Sequence, residues 1–250
     1  MSDLAAYPRP HLAVDLVILT VGFLRPADER LSLGVVVQRR ADGTPVLPGR
    51  FVRERHTVGQ TVRELLIEKL DFEPSRTFYL EMLGVYDAPE RDERGWVVSV
   101  SHLTTFRPDE ADRLSPETVE IMPVRGDATR GRRVTRESLA YDHDEMVTTA
   151  VRRTRRRYER SPDPLRLARP PYTLSQLRHV HEAVLAEPLK RDTFNRRMLP
   201  YLKPATDSRG EVSLSGTGGR PAQMFQPVSR KDRDPESGPF PLPRATTRAR

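Results

Sequence analysis

The sequence predicts an α+β protein: an α/β/α sandwich on a mixed β-sheet, followed by a small winged helix-turn-helix domain. Three observations support this prediction. Short β-branched runs alternate with amphipathic helical patterns up to residue 158, without the long βαβ repeat of a parallel sheet. A proline-rich segment then interrupts the chain. Beyond it, two short helical patterns precede a polar, glycine-rich stretch with apolar flanks, which is typical of two helices followed by a β-hairpin.

Strands in the first domain are predicted where β-branched and aromatic residues form short runs between turn residues. These runs cover residues 13–21, 31–38, 78–85 and 96–106. Residues 116–122 are ambiguous, and residues 124–136 form a loop rich in Gly and Arg that leads into a possible strand.

Two helices are predicted in the same domain. The first runs from its N-cap, Thr57, to about Leu70, because its apolar residues recur at helical spacing. The second runs from about Asp144 to Tyr158 and ends the domain.

We divide the chain into an N-terminal tail, a sandwich domain, a stiff proline-rich linker, a winged-helix domain and a disordered C-terminal tail. These segments are residues 1–9, 10–158, 159–171, 172–229 and 230–250. The last twenty residues are rich in Pro, Arg and Asp and have almost no large apolar side chains, so we expect them to lack order.

The net charge of +7 is divided unevenly along the chain. Residues 1–150 contain 20 Lys and Arg against 25 Asp and Glu, whereas residues 151–250 contain 22 against 10. A strongly basic second part is expected when that part alone meets a polyanion such as DNA. The alternative is an arginine-rich protein with a solvated basic tail, and the charge alone does not separate the two.

The chain contains no cysteine, which excludes disulfides and thiolate metal sites. Its longest apolar stretch, residues 12–24, includes Asp15 and is too short to span a bilayer. The polar N-terminus lacks the pattern of a signal peptide. We therefore expect a cytoplasmic protein that does not bind membranes.

Residues 47–52 and the helix that follows resemble the Nudix motif, a glycine-led loop before a helix with the pattern Arg-Glu-apolar-x-Glu-Glu. Residues at i, i+3 and i+4 share one helix face, so three glutamates there can bind Mg²⁺ and, through it, a pyrophosphate. Ile67 replaces the first glutamate of the pair, Arg50 the second loop glycine, and Leu70 the glycine near the helix end. The residues that match are Gly49, Arg63, Glu64, Leu65 and Glu68.

The loss of one carboxylate weakens a magnesium site. We therefore expect no catalytic residues in this degenerate box, little or no hydrolysis and no required cofactor. Glu64 and Glu68 remain as weak metal ligands, and Mg²⁺ would be needed only if the protein were hydrolytic. The alternative is that both glutamates are simply the solvated face of an amphipathic helix.

The resemblance extends beyond the box. Residues 84–100 resemble a strand, a charged loop and a strand of ADP-ribose-type Nudix proteins, and residues 139–143 resemble the segment before their last helix. A Nudix-like domain over residues 10–158 implies a nucleoside diphosphate ligand, with ADP-ribose foremost. Guanidinium groups fit phosphate oxygens, and the candidate ligand-binding residues are Arg50, Arg53, Arg91 and Arg94. Each could instead be a surface residue, and we interpret Asp142 and His143 as structural.

The second domain begins with a helix that Thr173 caps. A second helix is predicted over about residues 190–199, with Phe194 and Met198 facing inward. Arg and Asn on the outer face of such a helix can bond to base edges in the major groove. The predicted DNA-binding residues, on this helix and on the following wing, are Lys190, Arg191, Asn195, Arg196, Arg197, Arg209 and Arg220. The alternative is a small helical cap with solvated arginines.

Residues 172–177, 194–199 and 218–225 resemble the C-terminal domain of the Nudix-related transcriptional regulators of NAD metabolism, the NrtR-like family. With the Nudix resemblance, most of residues 10–228 are covered. The resemblance implies a homodimer that binds a palindromic double-stranded DNA operator and a nucleotide effector such as ADP-ribose. Some members keep a complete Nudix box and hydrolyse ADP-ribose, and this chain departs from them at the glutamates.

Three functions remain open from the sequence. The first is a ligand-responsive transcription factor, a repressor, that senses a nucleoside diphosphate and controls NAD metabolism. The second is an active Nudix pyrophosphohydrolase that uses Mg²⁺ and whose second domain serves dimerisation. The third is a binding protein with no role on DNA. The arginine-rich residues 152–157 either contact the DNA backbone or form a solvated helix face, and we favour the solvated face.

Overall fold

A computed structural model of the chain describes residues 6–24, 28–74, 78–126, 128, 133–216 and 221–228. The first part contains the strands β1 (His11–Gly22), β2 (Ser32–Arg39), β3 (Pro45–Val46), β4 (Gly49–Phe51), β5 (Glu81–Tyr86), β6 (Val97–Thr105) and β7 (Glu120–Pro123). Its helices are α1 (Val58–Leu70), α2 (Pro108–Ala111) and α3 (His143–Tyr158). The second part contains α4 (Leu174–Leu185), α5 (Arg191–Met198), β8 (Leu202–Pro204) and β9 (Phe225–Pro227). The predicted C-terminal tail, residues 230–250, lies outside the described residues.

The central strand β1 makes the sheet mixed. It pairs in parallel with β6, from His11 opposite Val97 to Leu19 opposite Thr105. On its other side it pairs antiparallel with β2, and near its start also with β4. The sheet order is β3-β2-β1-β6-β5, with β7 beside β2. This confirms the mixed sheet that the sequence predicts.

Alternate side chains of β1 point to opposite faces of the sheet, as the pleat requires. Leu16 and Ile18 face an apolar cluster that includes Leu65 and Leu66 of α1. Val17 faces a second cluster that includes Val147 of α3. Helices therefore cover both faces, which confirms the predicted α/β/α sandwich.

Helix α1 has the bounds that its sequence predicts. Thr57 closes a capping box with Gln60, in which the threonine hydroxyl accepts from the Gln60 backbone N–H and the Gln60 side chain accepts from the Thr57 N–H. The helix ends at Leu70, and its C-cap residue, Asp71, has a left-handed φ of 50°.

Two of the predicted strands differ from the structure. The strand predicted from residue 78 begins at Glu81, because the carbonyl of Tyr79 accepts a hydrogen bond from the Thr104 hydroxyl at 2.6 Å instead of entering the ladder. The possible strand after the 124–136 loop is reduced to a single bridge between Val124 and Thr135 among its described residues. The ambiguous segment 116–122 contributes β7.

The segment predicted as a linker, residues 159–171, is packed rather than solvated over its middle. Leu165 and Leu167 are buried in the same apolar cluster as α3. The buried Asp163 carboxylate accepts from the Tyr158 hydroxyl at 2.6 Å and from the Ala168 N–H at 3.1 Å. These contacts hold the segment against the end of α3.

The second part of the chain continues the core of the first. Leu177 and Val184 of α4 lie in one apolar cluster with residues of β1, β2 and α3. Thr173 caps α4 through a second capping box, as predicted. Strand β8 pairs with β9, and Tyr172 bridges to Phe225 of β9. Within the described part of the chain, no helix combines the length and the hydrophobicity that a membrane span needs.

Candidate functional site

A cleft of about 580 Å³ opens beside β1 and β4 and has a strongly basic wall. The four arginines predicted as ligand-binding residues all line it: Arg50, Arg53, Arg91 and Arg94. Arg40 and Lys69 also line the cleft, against two carboxylates, Asp15 and Asp92. The fold therefore gathers cationic side chains from distant parts of the sequence into one place.

The floor of the cleft is a buried ionic network around Arg91. Its guanidinium donates to both carboxylate oxygens of Asp142, at 2.8 and 2.6 Å, and to Asp15 at 3.3 Å. The Arg91 side chain is only 3% exposed. Its Nε and Nη2 groups donate to these two carboxylates, so Arg91 holds the charged loop and the start of α3 together.

His143, the first residue of α3, lies over the same network. The Leu47 N–H donates to its Nδ1 at 3.0 Å, which leaves the proton on Nε2, 3.5 Å from Asp15. Burial raises the pKa of Asp15, but hydrogen bonds with His143 and Ser99 and the charge of Arg91 outweigh it and leave the pKa below its usual value. Asp142 and His143 both belong to this network, and their structural role stays a prediction.

Gly49 passes directly above this buried carboxylate. A Cβ atom at position 49 would lie 2.2 Å from Asp15 Oδ1, closer than real contacts allow. The Gly49 carbonyl also accepts from Lys69 Nζ of α1 at 2.5 Å. The glycine of the Nudix motif is therefore needed here for a close approach of backbone and carboxylate.

The two glutamates left in the box, Glu64 and Glu68, form ion pairs with arginines. Arg50 Nη1 lies 2.7 Å from Glu68 Oε2, and Arg50 Nη2 lies 3.5 Å from Glu64 Oε2. Arg53 approaches the same two carboxylates at 3.6 and 3.8 Å. Ile67, next to Glu68, is 38% exposed. Arg63 turns away from this cluster and pairs with Glu73.

Aromatic rings at the rim of the cleft were not predicted from the sequence. The Arg94 guanidinium pairs with Asp92 at 2.7 Å and lies 5.3 Å from the Phe51 ring centroid and 5.5 Å from that of Tyr141. Arg40 lies 5.3 Å from the Tyr141 ring. The one local signal in the sequence for such a ring was Phe51, an aromatic residue two positions after the loop glycine Gly49. Flat rings and guanidinium planes are surfaces on which a base can stack.

A second basic surface lies on α5. Phe194 and Met198 are buried, while Lys190, Arg191 and Arg196 are exposed. The remaining predicted residues on this helix, Asn195 and Arg197, are half-buried.

The last two predicted residues, Arg209 and Arg220, were assigned to the wing. Arg209 is exposed in a tight turn that Gly210 closes with a φ of 81°. Arg220 lies outside the described residues.

Three of the arginines in residues 152–157 contact the protein and not only solvent. Arg153 donates to the carbonyls of Met82 and Leu83, and Arg157 pairs with Glu81. Arg155 donates to the carbonyl of Val184, near the end of α4, at 2.9 Å. The arginine face of α3, which we expected to be solvated, therefore largely attaches α3 to β5 and α4.

The comparisons with known proteins agree with this geometry. The family model of the NrtR DNA-binding winged helix domain matches residues 164–226. The crystal structure of Shewanella oneidensis NrtR has a TM-score of 0.64 and 27% identity, over 87% of this chain and 94% of that one. Residues 164–226 thus match an NrtR winged-helix domain, and the chain as a whole is similar to NrtR.

Other similar proteins match a similar extent of the chain. It is 25% identical to the ADPR responsive transcriptional repressor NtrR of Acinetobacter baylyi, over 88% of this chain and 83% of that protein. Shewanella oneidensis NrtR complexed with a 27mer DNA gives a TM-score of 0.65 at 27% identity, over 87% of this chain and 93% of that one. A MutT/nudix family protein from Enterococcus faecalis, at 22% identity, shares the fold with a TM-score of 0.70, over 91% and 90% of the two chains.

The family match also bears on the boundary between the two domains. The winged-helix model begins at residue 164, within the segment predicted as a linker. Leu165 and Leu167 there are buried, so the matched segment includes core residues that precede Tyr172.

Proposed function

We propose that this chain is a DNA-binding transcriptional regulator, a repressor, whose Nudix-like cleft senses a nucleoside diphosphate such as ADP-ribose. One observation carries the proposal: the chain joins an exposed basic helix in an NrtR winged-helix domain to a basic cleft in a Nudix-type domain. One relative is an ADPR responsive transcriptional repressor, and another has been crystallised with DNA. Family resemblance adds control of NAD metabolism, action as a homodimer and, because the partner is DNA, a cytoplasmic location.

The DNA-binding half of the proposal depends on α5. Lys190, Arg191 and Arg196 are exposed, and Asn195 on the same short helix is half-buried and is the side chain best suited to recognise adenine. Cations on this surface would neutralise phosphates and fix the register, while Asn195 and the arginines contact base edges. Arg209 on the wing would contact the adjacent backbone.

The sensing half depends on the cleft. Arg50, Arg53 and Arg94 present guanidinium groups suited to a diphosphate, and Phe51 and Tyr141 offer rings for a nucleoside. The catalytic alternative needs a third carboxylate on α1, where this chain has Ile67. We therefore propose that the ligand is bound and not hydrolysed.

The test is a mobility-shift titration of the full chain on its own upstream DNA at physiological salt, with and without ADP-ribose. We expect a specific shift that ADP-ribose alters, and we expect Arg196→Gln to weaken it. Arg133→Gln removes an exposed charge from the other domain and serves as the matched control. The absence of a specific shift would overturn the regulator, and turnover of ADP-ribose with Mg²⁺ at ordinary enzymatic rates would establish the hydrolase.

A further inference from the structure

The Nudix fold family implies a divalent cation on the glutamate face of α1, but the residues of this chain do not fit one. Magnesium needs several hard oxygen ligands in near-octahedral geometry. This face offers Glu64 and Glu68, with Ile67 in the place of the third carboxylate. Across the described ranges of the chain, no three His, Asp or Glu side chains are grouped in a way that could hold a metal ion.

Two arginines are located where the cation would be needed. Arg50 reaches both carboxylates, at 2.7 and 3.5 Å, and Arg53 reaches both at 3.6 and 3.8 Å. Two negative charges therefore face two positive charges, and a metal ion approaching these carboxylates would be repelled by both guanidinium groups. The Arg50 side chain is only 12% exposed, so its charge is fixed in position by the fold.

A guanidinium group can connect a carboxylate to a phosphate, as a metal ion does. Its five N–H donors lie in one plane, so one edge can donate to a carboxylate while another donates to a phosphate oxygen. Arg50 and Arg53 both line the cleft and both contact the glutamates. Lys69 and Arg94 add positive charge to the same wall.

We propose that Arg50 and Arg53 replace the divalent cation: they bind the diphosphate group of the effector directly, and Glu64 and Glu68 hold them in position instead of ligating metal. This inference rests on the proposed function only in taking a diphosphate compound as the ligand. The arginine at position 50 is then not a defect of the Nudix box but the group that makes ligand binding independent of metal.

The first test measures the metal alone. Mn²⁺ is titrated into the full chain without any anion, and its binding is followed by electron paramagnetic resonance. We expect no bound Mn²⁺ at millimolar concentrations in the wild type. We expect binding in the triple variant with Arg50→Gly, Arg53→Gln and Ile67→Glu, which removes both cations and restores the third carboxylate. Wild-type binding that is lost in Glu68→Gln would overturn the proposal.

The second test measures the anion. Binding of inorganic pyrophosphate and of ADP-ribose is measured by calorimetry in EDTA and again in Mg²⁺. We expect the Kd in EDTA to be within about twofold of that in Mg²⁺. We expect each of Arg50→Gln and Arg53→Gln to weaken binding by about tenfold or more, the size of a lost charge-assisted hydrogen bond. Arg63→Gln, on the helix that carries Glu64 and Glu68 but paired with Glu73, is the matched control and should have no effect.

The outcomes separate this inference from the proposed function. Binding that needs Mg²⁺ overturns the inference and leaves the sensor intact. Failure of both anions to bind in either buffer overturns the inference together with the sensing role. Loss of the DNA shift with metal-free binding retained overturns the regulator alone. Because Arg53 is 55% exposed, Arg53→Gln keeps the test valid if Arg50→Gln fails to fold.

Discussion

His181 of α4 is a fully buried imidazole at the junction of the two domains. Its ring centroid lies 4.9 Å from that of Tyr158 on α3 and 5.1 Å from that of Phe194 on α5. Its Nε2 accepts a long hydrogen bond of 3.4 Å from the Asp163 N–H. Burial lowers the pKa of His181 to about 3, so the ring is neutral in the folded protein near neutral pH.

This burial makes stability depend on pH. Below the pKa of about 6.5 that an exposed histidine has, the unfolded chain binds a proton that the folded chain excludes, so the contribution of His181 is lost as pH falls from 6.5 toward 3. We expect a loss of about 2 kcal/mol between pH 7.5 and pH 5 from this residue. Burial raises the pKa of Asp163 to about 6, which stabilises the folded state as pH falls and acts in the opposite direction.

Urea unfolding of the wild type and of His181→Leu, at pH 7.5 and pH 5, isolates the histidine. Asp163 is present in both chains, so its effect cancels in the difference. The free energy of unfolding of the wild type should fall by about 2 kcal/mol relative to the variant on going to pH 5. Equal changes in the two chains would show that His181 is protonated in the folded protein.

The sequence could identify the arginines of the cleft but not their individual roles. Arg91 lies in the segment that resembles the charged loop of ADP-ribose-type Nudix proteins, and it was predicted to bind phosphate. The structure commits it to Asp15 and Asp142, which lie 76 and 51 positions away in the chain. Partners at such separations leave no local pattern, whereas the glutamate face of α1 could be predicted because it repeats within one helix.

At the scale of elements, α3 connects the two candidate sites. It begins at His143, which lines the cleft, and ends at Tyr158, which is buried beside α4 and α5. Its inner face is apolar, and Arg155 on another face fastens it to the carbonyl of Val184. A continuous helix of 16 residues thus lies between the cleft and the winged helix.

The hydrogen bond from Tyr158 to Asp163 should stabilise this junction. Tyr158→Phe keeps the ring against His181 but leaves a buried carboxylate with one donor fewer. We expect the free energy of unfolding at pH 7.5 to fall by about 1–3 kcal/mol. Tyr7→Phe, in which the tyrosine is 62% exposed, is the control and should change it by less than about 0.5 kcal/mol. Equal small losses in both variants would show that the junction does not depend on this bond.

The elements that the sequence predicted well are those with local signals. Helices α1 and α4 each begin at a threonine that closes a capping box within four residues. Strands β3 and β4 contain two and three residues, and they exist only because β2 and β1 offer them edges to pair with. Pairing between distant segments, and the burial of the 159–171 segment against α3, require the assembled sheet.

At the scale of the whole molecule, the uneven charge along the sequence reflects only one of the two basic surfaces. The second part of the chain carries 22 basic against 10 acidic residues, and the exposed cations of α5 belong to it. The first part is acidic overall, yet its cleft is basic because folding collects Arg40, Arg50, Arg53 and Arg94 on one wall. Net charge therefore pointed to the DNA-binding surface and could not reveal the cleft.

Salt dependence of DNA binding distinguishes the two kinds of contact proposed for α5. DNA affinity falls as the salt concentration rises. Each phosphate that a cation neutralises makes the plot of log affinity against log salt concentration steeper by about 0.9. If Arg191 contacts phosphate, Arg191→Gln should reduce this slope by about 0.9 and weaken operator and unrelated DNA alike.

Asn195→Ala provides the contrast, because an asparagine that contacts a base edge carries sequence information and no charge. We expect the slope to be unchanged and the ratio of specific to non-specific affinity to fall by about tenfold, the lower part of the range for one bidentate base contact. Titrations of wild type, Arg191→Gln, Asn195→Ala and Arg133→Gln by fluorescence anisotropy, at four salt concentrations and on both DNAs, give both quantities. A slope that Arg191→Gln leaves unchanged would place this helix away from the phosphates, and an unchanged ratio in Asn195→Ala would remove Asn195 from the bases.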